Sequence, residues 1–227
     1  MREFNYWQVL SQPSHLTYQL ENSENGKLKG YGKWVWLMFG LTLLYFIIRN
    51  LWGMNTNHLT YLYANGELDQ YSYARLISFV GAIVLGIVFF LFHYYVVPYI
   101  IFVFTQNIEF RWIQKVQLYV IPVIILEKVF TIFVFAMFGY ATPFTFFSLA
   151  PMVSYIYYED VLLYFLNQLT VASVVTVWIQ YTFLAEWEER KKALLVKLIV
   201  IQLIFAILVA CISILPVSTW IEGWFNL

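Results

Sequence analysis

The feature that most constrains this chain is a series of long apolar blocks separated by short polar stretches. Apolar blocks of about 18 or more residues are typical of transmembrane helices, because roughly 20 residues of α-helix cross the hydrocarbon core of a bilayer. The chain is 62% hydrophobic and 11% charged, whereas charged residues make up about 25% of a soluble globular domain. The sequence therefore predicts an all-α fold, a polytopic bundle of transmembrane helices.

Five of these blocks are predicted to form one transmembrane domain over residues 34–216. The spans are expected at about 34–52, 76–105, 118–140, 161–185 and 194–215. The second block is longer than one span needs. We expect it to form one long helix, tilted or extending past the bilayer, and not two spans. A kink is expected near Pro98, because proline removes a helical hydrogen bond.

Three stretches lie outside the predicted spans and carry their own expectations. Residues 1–33 are polar and aromatic, and residues 217–227 form a short tail. Residues 141–160 are too aromatic for a plain solvated loop, so we expect them to lie in the membrane interface or to re-enter the bilayer. In the first stretch, an amphipathic helix on the membrane surface and a loosely ordered tail both remain open. The residues that favour the helix are Phe4, Trp7, Leu10 and Pro13.

Lysine and arginine residues lie on alternate sides of the predicted spans, which gives the orientation. The side that begins with the N-terminal segment contains Arg2, Lys27, Lys29, Lys33, Arg111, Lys115, Arg190, Lys191 and Lys192. The opposite side contains only Arg49 and Arg75. Loops rich in lysine and arginine face the cytoplasm. The sequence therefore predicts a cytoplasmic N-terminus and an extracytoplasmic C-terminus in a multi-pass cell membrane protein.

Catalytic and cofactor-binding patterns are missing from the sequence. It contains no HExxH, GxSxG or P-loop motif, and its histidines are far apart, so we expect no shared metal site. The formal net charge is zero, which gives no electrostatic argument for nucleic acid. The pair Glu188 and Glu189 leaves an intramembrane enzyme as a remote alternative. We expect a protein that is not an enzyme and has no cofactor, with membrane lipids around it.

Two neighbouring charges inside the third predicted span are the best candidates for a functional site. Glu127 and Lys128 are adjacent, so their side chains point about 100° apart on a helix and cannot share one lipid-facing stripe. Charges at membrane depth are costly and usually face a partner or a water-filled cavity. A structural ion pair and a substrate path are both open. Further polar residues are expected to hydrogen-bond between helices, namely Asn167, Gln168, Gln180 and Gln202.

Three stretches of the chain resemble the bacterial branch of the Yip family. They are residues 7–13 (WQVLSQP), residues 110–122 (FRWIQKVQLYVIP), and the hairpin at 161–200 with its internal Trp178. The chain lacks the long polar N-terminal domain and the acidic-aromatic motif of eukaryotic members. The resemblance implies five spans, a cytoplasmic N-terminus and an exterior C-terminus.

The resemblance also implies a function, as an analogy at the level of the family. Some bacterial members accompany a multicomponent ABC exporter that protects cells from a secreted killing peptide. We therefore expect an accessory or assembly partner of a transport system in a bacterial plasma membrane. Its partner would be the permease or the adaptor of the exporter, and a homo-oligomer is also open. The alternative is a small transport or channel component that uses Glu127 and Lys128.

Overall fold

The computed structural model describes residues 6–11, 28–54, 56, 59–105, 108–139, 142–157 and 159–214. These described residues are largely helical and contain no β-strand, although an isolated bridge pairs Ser148 with Thr170. The helices are α1 (Tyr6–Ser11), α2 (Tyr31–Leu51), α3 (Thr60–Ala64), α4 (Leu68–Leu91), a π-helical segment (Phe92–Val96), α5 (Val97–Thr105), α6 (Phe110–Phe138), α7 (Ala150–Val153), α8 (Asp160–Gln168), α9 (Val171–Leu184) and α10 (Lys191–Ile214).

Among the described residues, four helical stretches are long and apolar enough to cross a membrane. They are α2, the stretch Leu68–Thr105, α6 and α10, and they correspond to the first, second, third and fifth predicted spans. Their outward faces expose large apolar side chains, such as Ile77 at 72% and Leu126 at 70%. A surface of this kind is suited to lipid rather than water, and it indicates a membrane protein.

The fourth predicted span, 161–185, is not one continuous helix, and its crossing of the membrane stays a prediction. It consists of α8 and α9, which are separated by Leu169 and Thr170. Leu169 has φ −86° and ψ 79°, and Thr170 has φ −107° and ψ 170°, both outside the helical region. With 14 residues, α9 is about 21 Å long, which is shorter than the hydrocarbon core of about 30 Å.

The second predicted span is one long helical stretch, and it begins earlier than expected, at Leu68. Its π-helical segment, Phe92–Val96, ends two residues before Pro98. Proline has no backbone N–H, so the helix must adjust where the carbonyl of Tyr94 would otherwise accept a bond. A π-helical turn is one such adjustment.

The helices α2 and α4 run in opposite directions. The ring of Phe39 packs edge-on against that of Phe90 at a centroid distance of 5.2 Å, and the Asn50 side chain donates a hydrogen bond of 2.7 Å to Ser78 Oγ. At Gly86, an added Cβ would lie 3.0 Å from the Leu43 side chain. Gly86 therefore lets these two helices pack closely.

The long helix α10 also runs antiparallel to a neighbouring helix. Near the Thr105 end of α5, Lys197 Nζ in α10 donates a 2.8 Å hydrogen bond to the Phe104 carbonyl. Further along, Phe205 packs against Phe92 at 5.3 Å. α10 therefore runs opposite to the Leu68–Thr105 stretch and packs along α8 and α9.

A stack of aromatic rings attaches α1 to the bundle. Tyr6 lies between Trp34 and Tyr119, at a centroid distance of 4.5 Å from each, and Tyr119 in turn stacks on Phe183 at 5.2 Å. Tyr6 is 5% exposed, whereas its neighbour Trp7 is 67% exposed. Burial raises the pKa of the Tyr6 hydroxyl to about 12. Each ring pair contributes about 0.5–1.5 kcal/mol beyond its buried area.

The close packing at Gly86 generates a prediction with a matched control. Gly86→Val should lower the free energy of unfolding by about 1–3 kcal/mol, because the added methyl groups overpack the contact with α2. Gly81 lies on the same helix, and a Cβ there meets nothing within 4 Å, so Gly81→Val should change stability much less. Unfolding in mixed micelles by titration with dodecyl sulfate, followed by circular dichroism, measures both variants. Equal losses would contradict the packing described here.

Candidate functional site

The carboxylate of Glu127 caps the first turn of α9. Its Oε2 accepts a hydrogen bond of 2.7 Å from the backbone N–H of Ala172, although the two residues are 45 positions apart. Glu127 lies in α6, well inside the apolar part of that helix. The contact therefore joins α6 to the point where the α8–α9 segment breaks.

The other backbone N–H groups at the start of α9 are also paired. The N–H of Val171 donates to the Phe147 carbonyl at 3.3 Å. The N–H of Ser173 donates to Thr170 Oγ1 at 3.2 Å, and Ser173 Oγ accepts from the Thr170 N–H at 3.0 Å. This reciprocal pair is a capping box. A helix start without such partners leaves its first N–H groups unsatisfied, which is costly in a lipid environment.

The arrangement also places a negative charge where the helix favours one. The N-terminus of an α-helix carries a partial positive charge, so a carboxylate there is stabilised. Glu127 is only half-buried, and its own carbonyl accepts a 2.9 Å bond from Thr131 Oγ1. In the structure, Glu127 therefore caps α9 at the helix break.

No ion pair between Lys128 and Glu127 is found in the described part of the chain, although the two are within electrostatic range of each other. The Lys128 ammonium lies 6.0 Å from the centroid of the Phe89 ring on α4. It is also within electrostatic range of Arg49 on α2 and of His93 in the π-helical segment. A structural ion pair of Glu127 with Lys128, one of the two expected alternatives, is therefore not what the structure contains.

Asn167 and Gln168 do not bridge two long helices. Asn167 Oδ1 accepts hydrogen bonds from the Thr145 N–H at 2.9 Å and from Ser148 Oγ at 3.1 Å. These contacts tie the end of α8 to the segment before α7. Gln168 donates to the Tyr164 carbonyl of its own helix at 3.4 Å. Asn167 thus stabilises the region around the helix break, together with Phe147.

Gln180 makes a contact between helices, as the sequence analysis expected. Its Nε2 donates a 3.1 Å bond to Gln117 Oε1 between α9 and α6, and both side chains are buried. Thr176 lies one turn before Gln180 on the same face and is also buried. Gln202 is half-buried, and no hydrogen bond from its side chain to another described residue is found.

Part of the N-terminal prediction falls outside the described residues. Phe4 and Pro13 lie there, and the side chain of Leu10 is likewise not described. Trp7 lies on α1 and is exposed, while Tyr6 and Val9 of the same helix are buried against the bundle. Sequence analysis did not single out Tyr6, although an aromatic residue beside Trp7 could have suggested a packing contact.

An apolar groove runs between α2 and α6. Its volume is about 390 Å³. On α2 it is lined by Met38, Leu41, Leu44, Tyr45 and Ile48, and on α6 by Ile121, Pro122, Ile125, Leu126 and Val129. Among the described residues, no three histidine, cysteine or acidic side chains come together as a metal site would require.

Comparisons of the chain with family models, with curated proteins and with solved structures find no match. The resemblance to the Yip family therefore stays a prediction.

The cap on α9 leads to a second prediction. Glu127→Leu should lower the free energy of unfolding by about 1–3 kcal/mol, because it leaves the Ala172 N–H without its acceptor. Glu127→Gln keeps an oxygen acceptor and should cost less. Amide hydrogen exchange at Ala172, with unfolding by dodecyl sulfate, measures both effects. Lys128→Met is the control, since it removes the adjacent charge and no backbone contact. Unchanged exchange at Ala172 in Glu127→Leu would show that the cap is unimportant.

Proposed function

We propose that this chain is a non-enzymatic integral membrane protein that binds another membrane protein and supports its assembly or action. The observation that carries the proposal is the distribution of side chains. Aromatic and aliphatic residues fill the described interior, while the outward faces of the long helices are apolar and laterally accessible. A bundle of this kind offers contact surfaces to a neighbour in the bilayer more readily than a polar path through its centre.

We propose that the chain crosses the bilayer five times, with α8 and α9 together forming the fourth crossing. Contacts along α6 support this topology. Gln180 and Phe183 of α9 meet Gln117 and Tyr119 near the start of α6, while Ala172 meets Glu127 further along it. The helix α9 therefore runs opposite to α6. The 25 residues of the α8–α9 segment, from Asp160 to Leu184, would reach about 37 Å if straight, which exceeds the core of about 30 Å.

The proposed orientation has the N-terminus in the cytoplasm. Under this topology, α1, the connection between α5 and α6 and the loop between α9 and α10 share one side. That side contains Arg111, Lys115 and the run Arg190–Lys192, which supports a cytoplasmic location. The opposite side contains Arg49 and Arg75.

The proposed partner is the permease or the adaptor of an ABC exporter in a bacterial plasma membrane, and the proposed role is protection against a toxic peptide. The resemblance of residues 7–13, 110–122 and 161–200 to bacterial Yip proteins supports this choice. It is an analogy at the level of the family. A homo-oligomer would use the same apolar faces.

A second candidate is a small transport component, and one specific observation favours it. Glu127 lies at a helix break inside the bundle, and Lys128 lies beside it without pairing with it. Discontinuous helices and intramembrane charges are common at the substrate sites of transporters. Here, however, the helix terminus that would receive an anionic substrate is already occupied by the Glu127 carboxylate.

An experiment on cells that lack the protein separates the two candidates. Such cells should become sensitive to the exported peptide, and the wild-type chain should restore resistance. If the protein is an accessory partner, the double variant Glu127→Gln, Lys128→Met should restore it almost as well, because that role depends on the outer faces. If the protein is a transport component, the double variant should fail at normal abundance.

Affinity capture from native membranes is the companion measurement. The accessory role predicts that the exporter permease or adaptor is recovered with the tagged chain in a fixed ratio, both with the wild type and with the double variant. Recovery of the tagged chain alone would contradict the proposed role.

A further inference from the structure

The apolar groove between α2 and α6 has a closed floor and an open side. Met38, Tyr45, Ile121 and Ile125 form the floor and are at most 8% exposed. The rim residues are much more exposed, for example Leu44 at 51% and Leu126 at 70%. Both helices belong to the stretches that could cross a membrane. The groove therefore opens sideways from the bundle, toward the hydrocarbon of a bilayer.

The length of the groove fits one hydrocarbon chain. On α2 it extends from Met38 to Ile48, which corresponds to about 15 Å of helix. One leaflet contributes about half of the roughly 30 Å hydrocarbon core. A fatty acyl chain that runs parallel to the helices can therefore lie along the groove.

Two cationic residues, Arg49 and Lys128, are next in sequence to residues at one end of this groove. Arg49 follows Ile48 in sequence and interacts with the hydroxyl of Tyr45, which lines the groove. Lys128 precedes the groove residue Val129 and is within electrostatic range of Arg49. Both side chains are only half-buried. The end of the groove near the C-terminus of α2 therefore carries concentrated positive charge.

Glu127 offsets only part of this charge. It attracts the adjacent Lys128, but it carries one negative charge against two cations, and its Oε2 is already engaged with the N–H of Ala172. Two like charges near the end of a membrane helix repel each other and are stabilised by an anion between them. An apolar groove with two cations at one end is complementary to a molecule with a hydrocarbon tail and an anionic head.

We propose that this groove binds one acyl chain of an anionic phospholipid, with the phosphate held by Arg49 and Lys128. Basic pockets between transmembrane helices recognise anionic headgroups, and each basic side chain near the headgroup favours the anion. A zwitterionic lipid would place its own cation beside Arg49 and bind less well. The site does not depend on the partner or the role proposed above.

Native mass spectrometry of the purified full chain tests the proposal. Phosphatidylglycerol and phosphatidylcholine of equal chain length are added in turn to the delipidated protein. The wild type should retain one phosphatidylglycerol about fivefold or more in preference to phosphatidylcholine. Arg49→Gln should make the retention of the two lipids nearly equal. Arg49→Lys keeps the charge and should keep the preference for phosphatidylglycerol, which would show that the fold tolerates a change at this position.

A second pair of variants tests the acyl chain part of the site. Leu44→Trp should fill the groove and lower the retention of both lipids. Leu208→Trp on α10, where the side chain is similarly exposed at 52%, should not. Inorganic phosphate alone should neither compete nor stabilise, because it lacks the tail. Equal retention of both lipids by the wild type would overturn the proposal. So would an unchanged preference in Arg49→Gln, or dimerisation through the groove that Leu44→Trp abolishes.

Discussion

In lipid, a helix can end inside the protein only where its first backbone N–H groups find partners in the protein itself. The break at Leu169 and Thr170 meets this requirement with contributions from three parts of the chain. Glu127 comes from α6, the Phe147 carbonyl from the segment before α7, and Thr170 from the break. Because these partners come from different elements, they fix the start of α9 relative to α6 and to the segment before α7. The intramembrane carboxylate is thus first of all a structural group.

The other end of the bundle is held by apolar contacts. The stack of Trp34, Tyr6, Tyr119 and Phe183 joins α1, α2, α6 and α9. It lies close to the buried pair of Gln117 and Gln180. α6 therefore packs most tightly near its start and carries its charges further along. As a result, Lys128 and Arg49 lie near the open groove and not in the tightly packed part of the bundle.

Much of the helical architecture could be predicted from the sequence, because long apolar blocks and the cost of charge at membrane depth are local properties. The first, second, third and fifth predicted spans correspond to apolar helices of sufficient length, and Glu127 was singled out on the cost of its charge alone. The break in the fourth apolar block was not predicted, because the high average hydropathy of the block hides the single capping box within it. The pattern of Thr170 followed three positions later by Ser173 was the available signal. The partners of Glu127 and Arg49 depend on contacts between distant segments, which no local pattern contains.

The central claim is that the segment from Asp160 to Leu184 crosses the membrane as a broken helix. Thiol labelling tests it most directly, in a Cys211→Ser background that removes the single native cysteine. Tyr155 and Glu189 flank the segment and are both exposed. Intact cells carrying Tyr155→Cys should react with a membrane-impermeant reagent added outside, whereas Glu189→Cys should react only after permeabilisation. Labelling of both positions from the same side would contradict the account.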